Sequence, residues 1–177
     1  MLRGATLGLV ERGYAVSVVA RDARQLAKLR DDAEARGGVV RPVCVDYGDA
    51  AAFEFELVES IRHLGPHSLA VVWTHASAPD APFAVARRLA ATGARTDYFH
   101  VLGSASADPS RPDDRRSEFF AAFHGVAYHE VVLGFVVEPG GSRWLTDGEI
   151  SAGVLRAVAA RAPRTIVGVV EPWSSRP

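Results

Sequence analysis

The chain has 177 residues, enough for one domain with a sizeable core, and its 48% hydrophobic and 23% charged residues are typical of globular proteins. The formal net charge of −1 gives no electrostatic support for a nucleic-acid partner. The sequence contains no run of about 18 apolar residues, so no membrane span is predicted. The N-terminus also lacks a signal-peptide pattern. We therefore expect a cytoplasmic protein. The lone Cys44 excludes an intrachain disulfide, and its place in an apolar strand predicts a buried thiol.

The first half of the chain alternates helices with strands. Gly13 ends the first helix, and Asp22 is a suitable N-cap for the second. The second strand contains Pro42, which removes one ladder donor and favours a position near a sheet edge. The predicted helices cover residues 2–12, 22–36, 49–63 and 80–92, and the predicted strands cover 15–20, 39–45, 69–74 and 98–103.

A polar stretch over residues 106–118 then interrupts the alternation, and its two prolines and seven charges predict an exposed loop over at least half its length. Thr146 and Glu149 form a capping box before the last helix. The remaining predictions are a short helix through Phe119, Phe120 and Phe123, a strand over 127–137, a helix over 147–161 and a strand over 165–170. This pattern predicts a single α/β domain over 1–177, a doubly wound, mostly parallel sheet between two helical layers. Such sheets bind ligands at the carboxyl ends of their strands.

Taken in order, these strand ends resemble the short-chain dehydrogenase/reductase family, from Met1 to about residue 170. In that family the first strand and a glycine-rich turn precede the first helix and bind the cofactor pyrophosphate. Met1 and Leu2, with Arg3 and Gly4, resemble the residues just after the last glycine of that turn. The resemblance therefore implies a Rossmann-like sheet whose first strand, about 10–15 residues with its turn, is missing from this sequence. A misassigned start codon and a trimmed gene would both explain this.

The resemblance also implies a dinucleotide site. Arg21 stands where the family reads the adenosine ribose, and a guanidinium there resembles members that prefer NADP, because it pairs bidentately with the 2′-phosphate. Asp46, followed by Tyr47, resembles the acidic residue that contacts adenine. The alternatives are a surface arginine at a strand end and, for Asp46 or Asp49, an ordinary helix N-cap.

Two turns complete the implied cofactor site. The first contains His75, Ala76 and Ser77, in the place of the family's Asn-Asn-Ala-Gly turn, with a histidine replacing an amide. The second contains Pro139 and Gly140, and resembles the Pro-Gly turn that lies against the nicotinamide. A turn histidine without chemistry and a plain strand-ending turn are the alternatives.

The catalytic pattern departs from the family, which uses a Tyr, a Lys four residues later and a serine on the preceding strand. Ser104 or Ser106 matches that serine, and Tyr128 is the candidate tyrosine. However, Val132 lies four residues after Tyr128, and the only lysine in the chain is Lys28. The usual proton relay is therefore not expected.

Other catalytic designs have little support. Tyr128 and Glu130 share one face of a strand and His129 lies on the other, so the three cannot meet at one site. The histidines lack metal-ligand spacing, so no metal site is expected. Neither a Gly-x-Ser-x-Gly elbow nor a P-loop is present.

Three hypotheses follow. The first is a protein similar to these reductases, an NADP-dependent oxidoreductase with atypical or lost catalysis and an unidentified small-molecule substrate. The second is a non-catalytic nucleotide-binding or regulatory module. The third is a structural partner, because a sheet without its central strand exposes edges that favour pairing with another chain. We therefore expect a homo-oligomer, or a rearranged sheet in which strand 15–20 meets strand 69–74 directly.

Overall fold

The computed structural model describes residues 1–107 and 114–177. The α-helices are α1 Arg3–Val10, α2 Ala23–Glu34, α3 Ala50–Leu64, α4 Ala81–Ala90, α5 Asp114–Ala121 and α6 Asp147–Ala160. The strands are β1 Val16–Ala20, β2 Val40–Cys44, β3 Leu69–Val72, β4 Thr96–Gly103, β5 Val126–Leu133, β6 Phe135–Glu138, β7 Gly141–Trp144 and β8 Arg164–Val167. Short 3₁₀ helices cover Ser104–Ala107 and Trp173–Ser175.

The central layer is a parallel sheet in two parts. β1 pairs with β2, and a separate four-stranded part has the order β3-β4-β5-β8, with every pair parallel. β2 forms an outer edge, as Pro42 predicted, because a residue without an N–H is tolerated there. The predicted doubly wound α/β class is confirmed.

Helices cover both faces of this sheet, which explains why its strands are apolar runs. On one face α1 and α6 pack on β4, β5 and β8, with Phe99 and Val131 fully buried. On the other face α3, α4 and α5 pack around the buried ring of Tyr98. α2 joins α1 over β2 in a smaller third cluster. The result is a three-layer domain.

Several predicted helix starts are confirmed by their caps. The carboxylate of Asp22 accepts hydrogen bonds from the backbone N–H groups of Arg24 and Gln25, and that of Asp49 accepts from Ala52. Thr146 forms the predicted capping box at the start of α6. Each cap satisfies donors that the first helical turn leaves unpaired.

Among the described helices, none combines the length and the apolar character needed to cross a bilayer.

The predicted strand over residues 127–137 is wrong in its continuity, because the chain breaks at Gly134 into β5 and β6. A Cβ at Gly134 would lie 2.0 Å from the carbonyl oxygen of Val169, so only glycine allows this close backbone approach. β6 then leaves the parallel sheet and forms an antiparallel hairpin with β7, which the sequence did not predict. Residues 108–113, inside the predicted exposed loop, lie outside the described residues.

Two further expectations are wrong. Cys44 is exposed, because it ends an edge strand where side chains leave the core. Strand 15–20 does not meet strand 69–74: β1 and β3 belong to separate sheets. A cavity of about 490 Å³, here called the slot, lies between them and is lined from Leu2 and α1 on one side to α3 and α4 on the other.

Candidate functional site

The carboxyl ends of β1 and β2 bring together Arg21 and Asp46. Parallel pairing aligns Ala20 with Cys44, so the residues that follow both strands meet at one edge. Arg21 Nη1 lies 3.6 Å from Asp46 Oδ2, and the two side chains are 70% and 53% exposed. This edge therefore presents an accessible guanidinium beside a carboxylate.

The backbone on both sides of Arg21 is fixed. Cys44 Sγ lies 3.5 Å from the carbonyl oxygen of Arg21. Asp22 Oδ1 accepts from the N–H groups of Arg24 and Gln25 at 2.9 and 3.0 Å, and these hydrogen bonds, that of Gln25 foremost, lower the pKa of Asp22. Arg21 thus lies between a strand end and a capped helix, and its side chain is exposed beside Asp46.

Asp46 also shapes its own turn. Its Oδ1 accepts from the N–H of Gly48 at 2.9 Å, and Asp49 rather than Asp46 caps α3. One carboxylate oxygen thus holds the turn while the other faces Arg21, so a structural role and contact with a ligand are compatible. The alternative role considered for Asp46, an ordinary helix N-cap, is therefore filled by Asp49.

The end of β3 is joined to this edge through Tyr47. The backbone N–H of His75 donates to the Tyr47 hydroxyl at 3.2 Å, and the ring of His75 packs edge-on against Trp73. Ala76 and Ser77 are exposed in a turn closed by the hydrogen bond from Ala78 N–H to the His75 carbonyl. The structure therefore brings six predicted cofactor residues, from Arg21 after β1 to the turn after β3, to one edge.

Met1 and Leu2 lie at the start of α6. The Met1 amino group is 3.4 Å from Asp147, and the Ser151 hydroxyl donates to the Met1 carbonyl at 3.2 Å. Leu2 occupies the N-cap position of α1 without a side-chain cap, so its side chain satisfies none of the first N–H groups of that helix.

Ser104 is 4% exposed and hydrogen-bonded. Arg176 Nε donates to its hydroxyl oxygen at 2.9 Å. The Arg176 guanidinium carbon lies 5.3 Å from the ring centroids of both Trp144 and Trp173, within cation–π range. The C-terminal segment therefore covers the serine that the family resemblance assigns to carbonyl binding. Arg176 was not predicted from the sequence, because an isolated arginine is part of no recognisable pattern.

Tyr128 lies far from Ser104. The β4–β5 register places Tyr128 beside Tyr98, six residues before Ser104. At about 3.3 Å per strand residue, this separates the two candidate catalytic residues by roughly 20 Å. They do not share a site.

Tyr128 instead belongs to a polar cluster on one sheet face. Its hydroxyl donates to Glu130 Oε1 at 3.4 Å and lies 3.2 Å from His100 Nδ1. Glu130 is also 3.7 Å from the Nε atoms of Arg116 and Arg164. His129 points to the opposite face, where it stacks on Phe99, as strand alternation predicted.

The Pro139–Gly140 turn forms the tip of the β6–β7 hairpin, and Gly140 has a φ of +97°, which favours glycine. Arg143 of this hairpin donates to Glu138 at 2.7 Å and to both oxygens of Glu149. These bonds raise the pKa of Arg143, and the Arg143 bond and the Thr146 cap lower that of Glu149 to about 2. Arg143 thus ties the turn to α6, a role that the sequence analysis missed. Within the described residues, no cluster of ligating side chains suits a metal ion.

Similarity searches relate this geometry to known structures. No protein-family model and no curated protein matches the sequence. A putative oxidoreductase from Escherichia coli K-12 matches with a TM-score of 0.74 and 16% identity, over 99% of this chain and 93% of that one. The citronellol catabolism dehydrogenase of Pseudomonas aeruginosa matches with a TM-score of 0.69 and 16% identity, over 93% of this chain and 86% of that one. A metagenomic short-chain oxidoreductase in complex with NADP matches with a TM-score of 0.64 and 16% identity, over 94% of this chain and 90% of that one. The chain therefore has the short-chain dehydrogenase/reductase fold.

Proposed function

We propose that the chain binds NADP through its 2′-phosphoadenosine end, as an oxidoreductase-like protein with atypical catalysis. The observation that carries this proposal is the edge formed by Arg21, Asp46, Tyr47 and His75, where three strand ends converge. In parallel α/β sheets, ligands bind outside such ends. One of the similar structures is itself a complex with NADP.

The residues present fit one half of this cofactor. The 70% exposed guanidinium of Arg21 suits a 2′-phosphate, since arginine pairs with phosphate through two parallel hydrogen bonds. The neighbouring Asp46 has a carboxylate that accepts hydrogen bonds from adenosine, but it also repels a phosphate. We therefore expect micromolar rather than nanomolar affinity.

The residues present fit the reactive, nicotinamide half of the cofactor less well. Ser104 is bonded to Arg176, Tyr128 lies roughly 20 Å away by strand register, and the chain has no lysine after Tyr128. We derive no hydride or proton transfer from this arrangement. These observations favour a second candidate function, a nucleotide-binding module without turnover.

The test is calorimetric titration with NADPH and NADH. Arg21→Ala should weaken NADPH binding roughly tenfold and leave NADH binding unchanged. A tenfold loss corresponds to about 1.4 kcal/mol of binding free energy, a modest value for an exposed charge-assisted hydrogen-bonded pair. Arg24→Ala, an exposed arginine on the adjacent helical turn, is the matched control and should bind like the wild type. Equal losses for both variants, or no binding of NADPH by the wild type, would reject the proposed site.

A further reaction assay separates the two candidates. Oxidation of NADPH in the presence of a panel of aldehydes and ketones would favour an oxidoreductase, and binding without turnover would favour the module. If turnover occurs, Arg176→Ala should change it, because that substitution frees the Ser104 hydroxyl.

A further inference from the structure

We propose that residues 172–176, here called the strap, form a reversible cover over Ser104 that must open before a ligand reaches this serine. The inference rests on the proposed function only in treating Ser104 as a substrate-side residue. It concerns access to that end of the site, which is separate from the nucleotide contacts of Arg21. Its tests use the chain without nucleotide, so their outcome and that of the NADPH titration are independent.

Ser104 lies where a ligand is expected but is closed off from solvent. It directly follows β4, and the carboxyl ends of parallel strands form the ligand-binding end of such a sheet. Gly103, the last residue of β4, is exposed, whereas Ser104 is 4% exposed. Arg176 Nε donates a hydrogen bond to the Ser104 hydroxyl at 2.9 Å, so the strap reaches this position. A ligand therefore meets Arg176 before it meets the serine.

The strap is seated on one face of the β6–β7 hairpin. Ser142 and Trp144 are two residues apart on β7, so their side chains point to the same face. The Ser142 hydroxyl donates to the carbonyl of Ser175, and the Arg176 guanidinium carbon lies 5.3 Å from the Trp144 ring centroid. The Trp173 ring centroid lies at the same distance from that carbon. Strand alternation therefore places both hairpin contacts of the strap on one surface.

The contacts that hold the strap are few and lie near solvent. None of the 3₁₀-helix residues Trp173–Ser175 is buried, so the strap has no apolar anchor in the core. Arg176 binds a neutral hydroxyl, and among the described residues no carboxylate pairs with it. A guanidinium forms weaker hydrogen bonds with neutral acceptors than with carboxylates. Because segments with few buried apolar contacts open locally at a small cost in free energy, the strap should open while the sheet stays folded.

The segment that opens is short. Val169 exchanges two backbone hydrogen bonds of 2.9 Å with Phe135 and so ties the preceding chain to the start of the hairpin. The movable part therefore begins after Val169 and ends with the arginine that bonds to the serine. Its opening exposes the Ser104 hydroxyl and leaves the core covered.

The first experiment measures the reaction of a thiol placed at the covered position. Ser104→Cys is made together with Cys44→Ser, because Cys44 is the one native cysteine and is exposed. Iodoacetamide then alkylates the introduced thiol at a rate that depends on strap opening. We expect Arg176→Gln and Ser142→Ala each to raise this rate at least about tenfold, because each removes a contact of the strap.

The charge of Arg176 acts on the thiol in the opposite direction. A nearby cation lowers the pKa of a thiol and speeds its alkylation. Loss of the guanidinium charge alone would therefore slow the reaction. A faster reaction after Arg176→Gln thus reports exposure of the thiol rather than a change in its chemistry.

Two matched controls keep the strap contacts. Ser174→Ala changes an exposed serine of the strap, and Arg156→Gln changes an exposed arginine of α6, so both should react like the parent protein. Ser151→Cys, at a position 5% exposed on α6, reports opening of the whole domain in the same variants. Equal acceleration at the two thiol positions would show global unfolding and overturn the proposal. A rate that neither Arg176→Gln nor Ser142→Ala changes would also overturn it.

Amide hydrogen exchange of the unmodified chain is a second test, which needs no variant to fold. The N–H groups of Ser175 and Arg176 donate within the strap to Pro172 and Trp173, at 2.9 and 3.2 Å. They should exchange at least roughly 100-fold faster than the N–H of the buried Val131 in β5, because local opening costs less than global unfolding. Exchange at the rate of Val131 would mean that the strap opens only with the whole domain, and would overturn the proposal.

Discussion

The hydroxyl of Tyr128 has a structural role that a single substitution tests. It donates to Glu130 at 3.4 Å and lies 3.2 Å from His100, while the ring stacks on Phe120 with centroids 3.9 Å apart. Tyr128→Phe removes the oxygen and preserves the ring. The substitution therefore isolates the polar contribution of this cluster.

The expected loss is about 1–2 kcal/mol in the free energy of unfolding. A hydrogen bond to a charged group contributes about 1.5–3 kcal/mol, and the long 3.4 Å distance places this one at the lower end. Arg116 and Arg164 remain near the Glu130 carboxylate and compensate for part of the loss.

The assay is urea denaturation at pH 7, with Tyr47→Phe as the matched control. The Tyr47 hydroxyl accepts one bond from the His75 N–H at an exposed site, so its removal should cost less than about 0.5 kcal/mol. An unchanged slope with a lower midpoint would confirm a loss of stability alone. If Tyr128→Phe costs no more than Tyr47→Phe, the polar cluster does not stabilise the fold and our reasoning is refuted.

Three further outcomes are expected from the structure. Burial lowers the pKa of His67, so the folded state disfavours the charged ring. The stability contributed by the neutral ring should therefore be complete above pH 6.5 and fall as the pH drops below that value. His67→Gln should remove this pH dependence from denaturation curves. Gly134→Ala should cost about 2–4 kcal/mol or prevent folding, because its Cβ meets the Val169 backbone, whereas Gly141→Ala, which meets nothing within 4 Å, should stay within about 0.5 kcal/mol. Thr146→Ala should cost about 1 kcal/mol in thermal unfolding through loss of the capping box, and an unchanged midpoint would contradict the observed cap.

The fold was largely predictable because its signals are local. Apolar runs such as 15–20 and 69–74 indicate strands buried on both faces, and caps such as Asp22 and Thr146 mark helix starts within a few residues. Strand–helix alternation then determines the parallel arrangement. These features need no knowledge of distant contacts.

The errors arose where distant parts of the chain meet. Gly134 breaks a continuous apolar run because Val169, 35 residues later, approaches its backbone. The exposure of Cys44 depends on β2 being an outer edge rather than on its own neighbours. Local periodicity cannot report either effect.

The candidate site was predictable in part for the same reason. Residues at parallel strand ends must converge, so the meeting of Arg21 with Asp46 follows from topology. Contact between Arg176 and Ser104 joins residues 72 positions apart through a segment without regular pattern. The distance between Ser104 and Tyr128 likewise depended on where β5 begins.

The most direct test of the proposed nucleotide site is an amide NMR titration of the chain with 2′,5′-ADP, the half of NADP that the described residues fit. We predict chemical-shift changes centred on Arg21, Asp46, Tyr47 and His75, with an affinity within about tenfold of that for NADPH, since little binding energy is expected from the nicotinamide half. Loss of these changes with 5′-AMP would assign the contact to the 2′-phosphate. Shift changes centred elsewhere, or none at millimolar 2′,5′-ADP, would contradict the account.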